Sequence, residues 1–158
     1  MAANYTLINE QTVAPNQPVV FTSSPVPCNR GLIFHNDGSG IFKLASMIRS
    51  CGCGCNSPQY ETRYLVEFNG NIAIQPTGGT VEEIQLAISV DGETEPASIM
   101  RLTPAAVDTY GDVGTSIIVR VPSICGCESM SVRNISTQDI LIQNASLVID
   151  LVGVQRVR

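Results

Sequence analysis

The sequence predicts an all-β fold: a single-domain jelly-roll β-sandwich of about ten short antiparallel strands. Three observations carry that expectation. Apolar and polar residues alternate over short segments, as they do where one face of a strand is buried. Gly, Pro, Asn and Asp separate those segments at positions that suit turns. No stretch has the spacing of an amphipathic helix, and no blade-length repeat recurs. At 158 residues the chain can bury one core of ordinary size but not two, so residues 1–158 read as one domain.

The first strands are expected at Tyr5 to Val13, Pro18 to Thr22, Gly31 to His35 and Ile41 to Ala45. The last two flank Asn36-Asp37-Gly38-Ser39-Gly40, whose Asn and Gly tolerate the positive φ of a tight hairpin. A long extended run from Thr62 to Ile74 places Tyr64, Val66 and Phe68 on one face, with Gly70 as a bulge or bend. A strand is expected from Val81 to Val90, with Ile84, Leu86, Ile88 and Val90 in strict period two, leading through Asp91-Gly92 into a second strand around Ala97 to Leu102. The last third gives Ser116 to Val121, Ser129 to Ile135, Ile140 to Gln143 and Ser146 to Val152. The expected core includes Leu86, Ile88, Val90, Ile117, Val119, Val121, Leu147 and Ile149, the last five from segments of continuous apolar character. An immunoglobulin-type sandwich is disfavoured, because the chain has no Trp to pack between its sheets.

Composition removes several functions. A net charge of −5, a pI near 4.7 and nine basic residues with no two adjacent do not suit nucleic acid, which is held by Lys and Arg displacing counterions. No window holds the ~18 apolar residues of a membrane span, and Met-Ala-Ala-Asn-Tyr-Thr lacks the basic and apolar regions of a signal peptide. Synthesis in the bacterial cytoplasm is therefore expected, with no membrane partner. Four prolines, Pro15, Pro18, Pro25 and Pro27, space out the first thirty residues. Residues 1–15 are expected to form an extended docking arm that adds a strand to a neighbour.

Catalytic groups are scarce, and the chain is not expected to be an enzyme. The single His35 ends a strand just before the Asn-Asp-Gly turn, where a structural histidine bonded to a turn carbonyl is the ordinary outcome. A Cys28–His35 nucleophile pair has no third orienting group at a recognisable spacing. Glu82 and Glu83 are adjacent, so in a strand they point to opposite faces and cannot work as an acid–base pair. Asp91 to Glu93 and Asp108 to Asp112 lack the ligand spacing of a calcium loop. Thr77-Gly78-Gly79-Thr80 leads into a strand, not the helix that a phosphate loop requires.

Six cysteines are the unusual feature. Five fall in two clusters, Cys51-Gly-Cys53-Gly-Cys55 and Cys125-Gly-Cys127, with Cys28 apart. The interleaved glycines let the backbone turn sharply enough for sulfurs to converge. Three readings stay open: disulfides joining the clusters, four thiolates holding Zn²⁺ or an iron centre, or free thiols. The Cys-x-x-Cys spacing of zinc ribbons is absent, so disulfides among Cys51, Cys53, Cys55, Cys125 and Cys127 are preferred and no cofactor is expected.

Several phrases resemble jelly rolls of the tumour-necrosis-factor and complement-component type, and in particular small phage-related proteins of gut Firmicutes. They are Val13-Ala-Pro-Asn-Gln-Pro-Val-Val-Phe21, Pro27-Cys-Asn-Arg-Gly31, Gly70-Asn-Ile-Ala-Ile74, Gly78-Gly-Thr-Val81 and Ile88-Ser-Val-Asp-Gly92, followed by Leu102-Thr-Pro-Ala-Ala-Val107, Val132-Arg-Asn-Ile-Ser136 and Ile142-Gln-Asn-Ala145. The resemblance covers most of the chain but supplies no functional residue. It implies a homotrimer and a place on a virion surface, as a capsid decoration or cement protein or a head-fibre subunit contacting the major capsid protein. The alternative is a bacterial surface or spore-coat module that binds carbohydrate or protein. Four Phe, four Tyr and no Trp leave few aromatic platforms for a sugar, and oblige a trimer interface to use aliphatic residues.

Overall fold

The computed structural model describes residues 1–28, 30–48, 59–123 and 126–157. Along the chain run β1 (Ala2–Leu7), β2 (Gln11–Val13), β3 (Ser23–Val26), β4 (Ile33–Phe34), β5 (Phe42–Ala45) and β6 (Tyr60–Ile74). They are followed by β7 (Ile84–Val90), β8 (Glu93–Thr94), β9 (Met100–Leu102), β10 (Gly111–Pro122), β11 (Cys127–Asn134) and β12 (Ile140–Arg156). Among the described residues helix is limited to one 3-10 turn, Pro96–Ser98. The strands form two antiparallel sheets, ordered β10-β6-β12-β1-β3 with β2 also on β12, and β4-β5-β11-β7-β8 with β9 also on β7. This is the expected jelly-roll sandwich, with chain neighbours distributed between two facing layers.

The core lies between the sheets and follows the period-two pattern. On β6 the buried row is Tyr64, Val66, Phe68, Ile72 and Ile74, while Glu67 and Asn69 face out. Leu86, Ile88, Val119, Val121, Leu147 and Ile149 are buried as expected, and Val90 and Ile117 pack half-buried against them. Gly70 falls in the inward row of β6, where a Cβ would stand 3.3 Å from that of Ala145. The missing side chain makes room for a bulge in β12, where the register with β6 shifts between Gln143 and Ser146 and Asn144 takes φ 49°. The two strands expected on either side of this point are therefore one strand.

The first strand expectation divides. Ile8 to Glu10 break the run from Tyr5 to Val13, and Pro18 and Phe21 make only isolated bridges, to Arg133 and Ser39. The short strand falls instead at Ser23–Val26. The Asp91-Gly92 hairpin forms as read, with φ 51° and 84°, but its return strand starts at once as β8 and then leaves the ladder at Pro96. Ser98 fills that gap, since its hydroxyl accepts from the Ile88 N–H at 2.8 Å.

Within residues 1–15, the segment expected as a docking arm, β1 and β2 are strands of the sandwich. β1 lies inside its sheet, paired with β12 from Ala2↔Asp150 to Leu7↔Ala145 and with β3 on its other side. Its Ala3, Tyr5 and Leu7, with Val13 on β2, are buried. Alternating apolar residues at this spacing bury one face of a strand, and that gain outweighs the extended character of the prolines that follow.

Candidate functional site

Most of the expected cysteine cluster, Cys51, Cys53, Cys55 and Cys125, lies outside the described residues. Cys127 opens β11 as an exposed free thiol, and Cys28 is a half-buried free thiol 3.6 Å from the Met1 sulfur. Hydrogen bonds to the amides of Arg30, Gly31, Leu32 and Ile33 hold the Cys28 thiol below its ordinary range, against the opposing effect of burial. The flanks of the two cysteine clusters do meet. Ala45 pairs with Cys127, the Ser46 N–H donates to the Gly126 carbonyl at 2.8 Å, and the Ser123 N–H donates to the Tyr60 carbonyl at 2.9 Å.

His35 is tied to its turn. Its Nε2 lies 2.8 Å from the Ser39 carbonyl oxygen, which can only accept, so Nε2 carries the proton. The ring is stacked on Phe42 at 4.2 Å and met edge-on by Tyr5 at 5.0 Å. Its Nδ1 is buried without a hydrogen-bond partner, 4.0 Å from an Asp37 carboxylate oxygen. Glu82 and Glu83 lie just before β7 and bond to different partners. Glu83 meets Arg101 at 3.0 Å, while Glu82 accepts from Thr137 and Gln138. Thr80 is held by the Gln138 side chain in a turn, and among the described residues no three His, Cys, Asp or Glu side chains gather as a metal would need.

A different feature marks a surface for contact. The outer face of the sheet β10-β6-β12-β1-β3 carries aliphatic residues in neighbouring rows. Ile118 on β10 is 50% exposed and pairs directly with Leu65 on β6; Val152 on β12 is 58% exposed. Val148, opposite Glu67, is diagonal to Leu65, close enough for the two side chains to share one patch. Val26, 50% exposed, continues the Val148 row across Asn4. Two carboxylates interrupt the patch: Glu67 stands opposite Val148, and Asp150, paired with the Met1 amine at 3.5 Å, stands opposite Leu65 between Val148 and Val152.

The expectation assigned no surface residues, yet the signal was present. Leu65-Val66, Ile117-Ile118-Val119, Leu147-Val148-Ile149 and Leu151-Val152 break the alternation of a strand with one wet face. Continuous apolar character is the mark of a strand covered on both faces.

No protein-family model matches the chain, and no curated protein sequence matches it. Among solved structures it is similar to Eiger TNF from S. frugiperda, with a TM-score of 0.61 and 11% identity over 97% of this chain and 93% of that one. It is similar also to the globular domain of zebrafish complement 1qA protein, with a TM-score of 0.57 and 10% identity over 96% of each chain. At such identities the likeness is one of fold: the chain has a jelly-roll fold of the kind found in these two proteins.

Proposed function

We propose that the chain is a non-catalytic structural subunit that assembles as a homotrimer and is displayed on a phage virion after synthesis in the bacterial cytoplasm. Its place there is that of a capsid decoration or cement protein or a head-fibre subunit. The aliphatic patch of Leu65, Ile118, Val148 and Val152 supports the assembly, because a sheet face of this composition gains from being covered. The absence of basic clusters supports a lattice role free of nucleic acid. With residues 1–15 built into a sheet, contact with a major capsid protein falls to the outer surfaces of the sandwich.

Light scattering on the purified protein should give three times the 16.9 kDa of the chain. Leu65→Glu combined with Ile118→Glu should give a monomer whose circular dichroism is unchanged, since both side chains lie on the outer face. A monomeric wild-type protein would overturn the assembly. Gold-labelled antibody should mark intact particles, whereas label confined to cell envelopes or spores would favour the bacterial surface module.

A further inference from the structure

A second region, on the other sheet, has the make-up of a ligand site. Beside the β4–β5 hairpin is a cleft of about 420 Å³ lined by Phe34, His35, Asn36, Ser39, Ile41 and Lys43. That volume is in the range of small-molecule sites. The chain has a single lysine and a single histidine, and both line this cleft. Phe34 pairs across the hairpin with Lys43, so ring and ammonium stand side by side on the outer face of the sheet. Phe34 is 50% exposed, whereas Phe21, Phe42 and Phe68 are buried in the core.

The polar groups of the cleft are unspent. Among the described residues neither the Lys43 ammonium nor the Asn36 side-chain amide has a hydrogen bond or an ion pair. The Ser39 hydroxyl oxygen accepts from the Ile41 N–H at 3.1 Å and keeps its own proton to donate. The His35 ring lies beneath this wall, fully buried, with its Nδ1 4.0 Å from the Asp37 carboxylate. The Asp37 carboxylate accepts from the Ser24 hydroxyl at 2.7 Å.

We propose that this cleft binds a carboxylate-bearing sugar, a pyranose of the uronate type. One ammonium matches one carboxylate. Phe34 and Ile41 offer apolar walls for the C–H face of the ring, and Asn36 and Ser39 offer partners for its hydroxyls. A phosphate would want a cradle of several donors, which one lysine does not make. The net charge of −5 acts weakly here, because exposed charges beyond ~8 Å are screened at physiological salt. Recognition is then short-range, with millimolar affinity for one charge pair and one ring contact.

The single lysine gives a direct test. Reductive ¹³C-dimethylation keeps the charge and labels only Lys43 and the amine of Met1, which is paired with Asp150 on the other sheet and serves as the internal reference. Titration with D-glucuronate should shift the Lys43 methyl signal saturably and leave the Met1 signal in place. Methyl glucoside and acetate should each fail to do so. Phe34→Ala should weaken binding by roughly tenfold, and Lys43→Gln should abolish the saturation transfer to glucuronate protons that the wild type gives. No saturable shift with glucuronate at tens of millimolar would overturn the proposal. An equal response to acetate would reduce it to simple ion pairing, and an equal response to methyl glucoside would remove the role of Lys43. Cleft and patch lie on different sheets, and the assay uses the isolated protein, so its failure would leave the assembly reading standing.

Discussion

The hydroxyl of Tyr64 on β6 donates a 2.5 Å hydrogen bond to the carbonyl oxygen of Ala45 on β5, joining the two sheets through the core. Burial pushes the phenol up to about 12, with the Cys28 thiol adding to it, so the group stays protonated and keeps donating at any physiological pH. Tyr64→Phe keeps the ring and removes the donor. It should cost ~1–3 kcal/mol, the penalty for leaving a buried acceptor without its partner, read as a lower urea midpoint with an unchanged slope.

Deleting residues 1–15 should abolish folding. The deletion removes β1 from between β12 and β3, exposes one edge of β12 and strips Ala3, Tyr5, Leu7 and Val13 from the core. Losing one large core side chain costs ~2–5 kcal/mol, and a domain holds only ~5–15 kcal/mol in all. The truncated chain should show no cooperative thermal transition. A truncated protein that melted cooperatively would show that β1 is dispensable.

The same segment shows where the sequence was readable and where it was not. Strict alternation made Ile84 to Val90 and Tyr64 to Phe68 legible, because each side chain's face follows from its position alone. Residues 1–15 were hard to read because Pro15 and the prolines that follow suggest extended chain, whereas the alternation of Ala3, Tyr5 and Leu7 is a weak signal over so few residues. Ser23–Val26 was missed because Ser-Ser-Pro-Val has poor strand propensity and pairs only at an edge, where tertiary context decides. The cleft could not be read at all. Phe34 and Lys43 are nine positions apart, and only the hairpin register makes them neighbours.

Stability should fall between about pH 4.5 and about pH 7 through Glu128. It shares the face of Met130 and Val132 at the start of β11, and burial, with a further contribution from Asp91, pushes its carboxyl up to about 7 from 4.5. A raised folded value means that the folded state holds the proton more tightly. The stabilisation is complete below about 4.5 and is lost as pH rises through about 7. Asp91 acts in the opposite sense. The Glu128 hydrogen bond and the Ser129 N–H and hydroxyl hold it low, so its contribution is present above the ordinary aspartate value and lost as pH falls through the depressed one. The melting temperature should therefore decline from ~pH 5 to ~pH 7 and then level off, and Glu128→Gln, which resembles the protonated form, should flatten that decline. An identical slope in wild type and variant would show that another group is responsible.

The cysteines give the last test. Residues 49–58, between Ile48 and Gln59 in the chain, and residues 124–125, between Ser123 and Gly126, lie outside the described residues. The described flanks are bonded to each other on both sides. Ser46 donates to Gly126 at one root, and Ser123 donates to Tyr60 at the other. Glycines between the sulfurs impose no side-chain bulk on their approach, and a disulfide needs Cα atoms only ~4.4–6.8 Å apart. A digest under non-reducing conditions should yield a peptide containing Cys51, Cys53 and Cys55 joined to one containing Cys125 and Cys127. Since Cys127 is a free thiol, Cys125 is the expected partner. Reduction should lower the thermal midpoint, because a bridge between distant chain positions restricts the unfolded ensemble by ~2–4 kcal/mol. Stoichiometric zinc in protein purified under reductant, with loss of the fold on chelation, would replace the disulfides with a thiolate-bound metal.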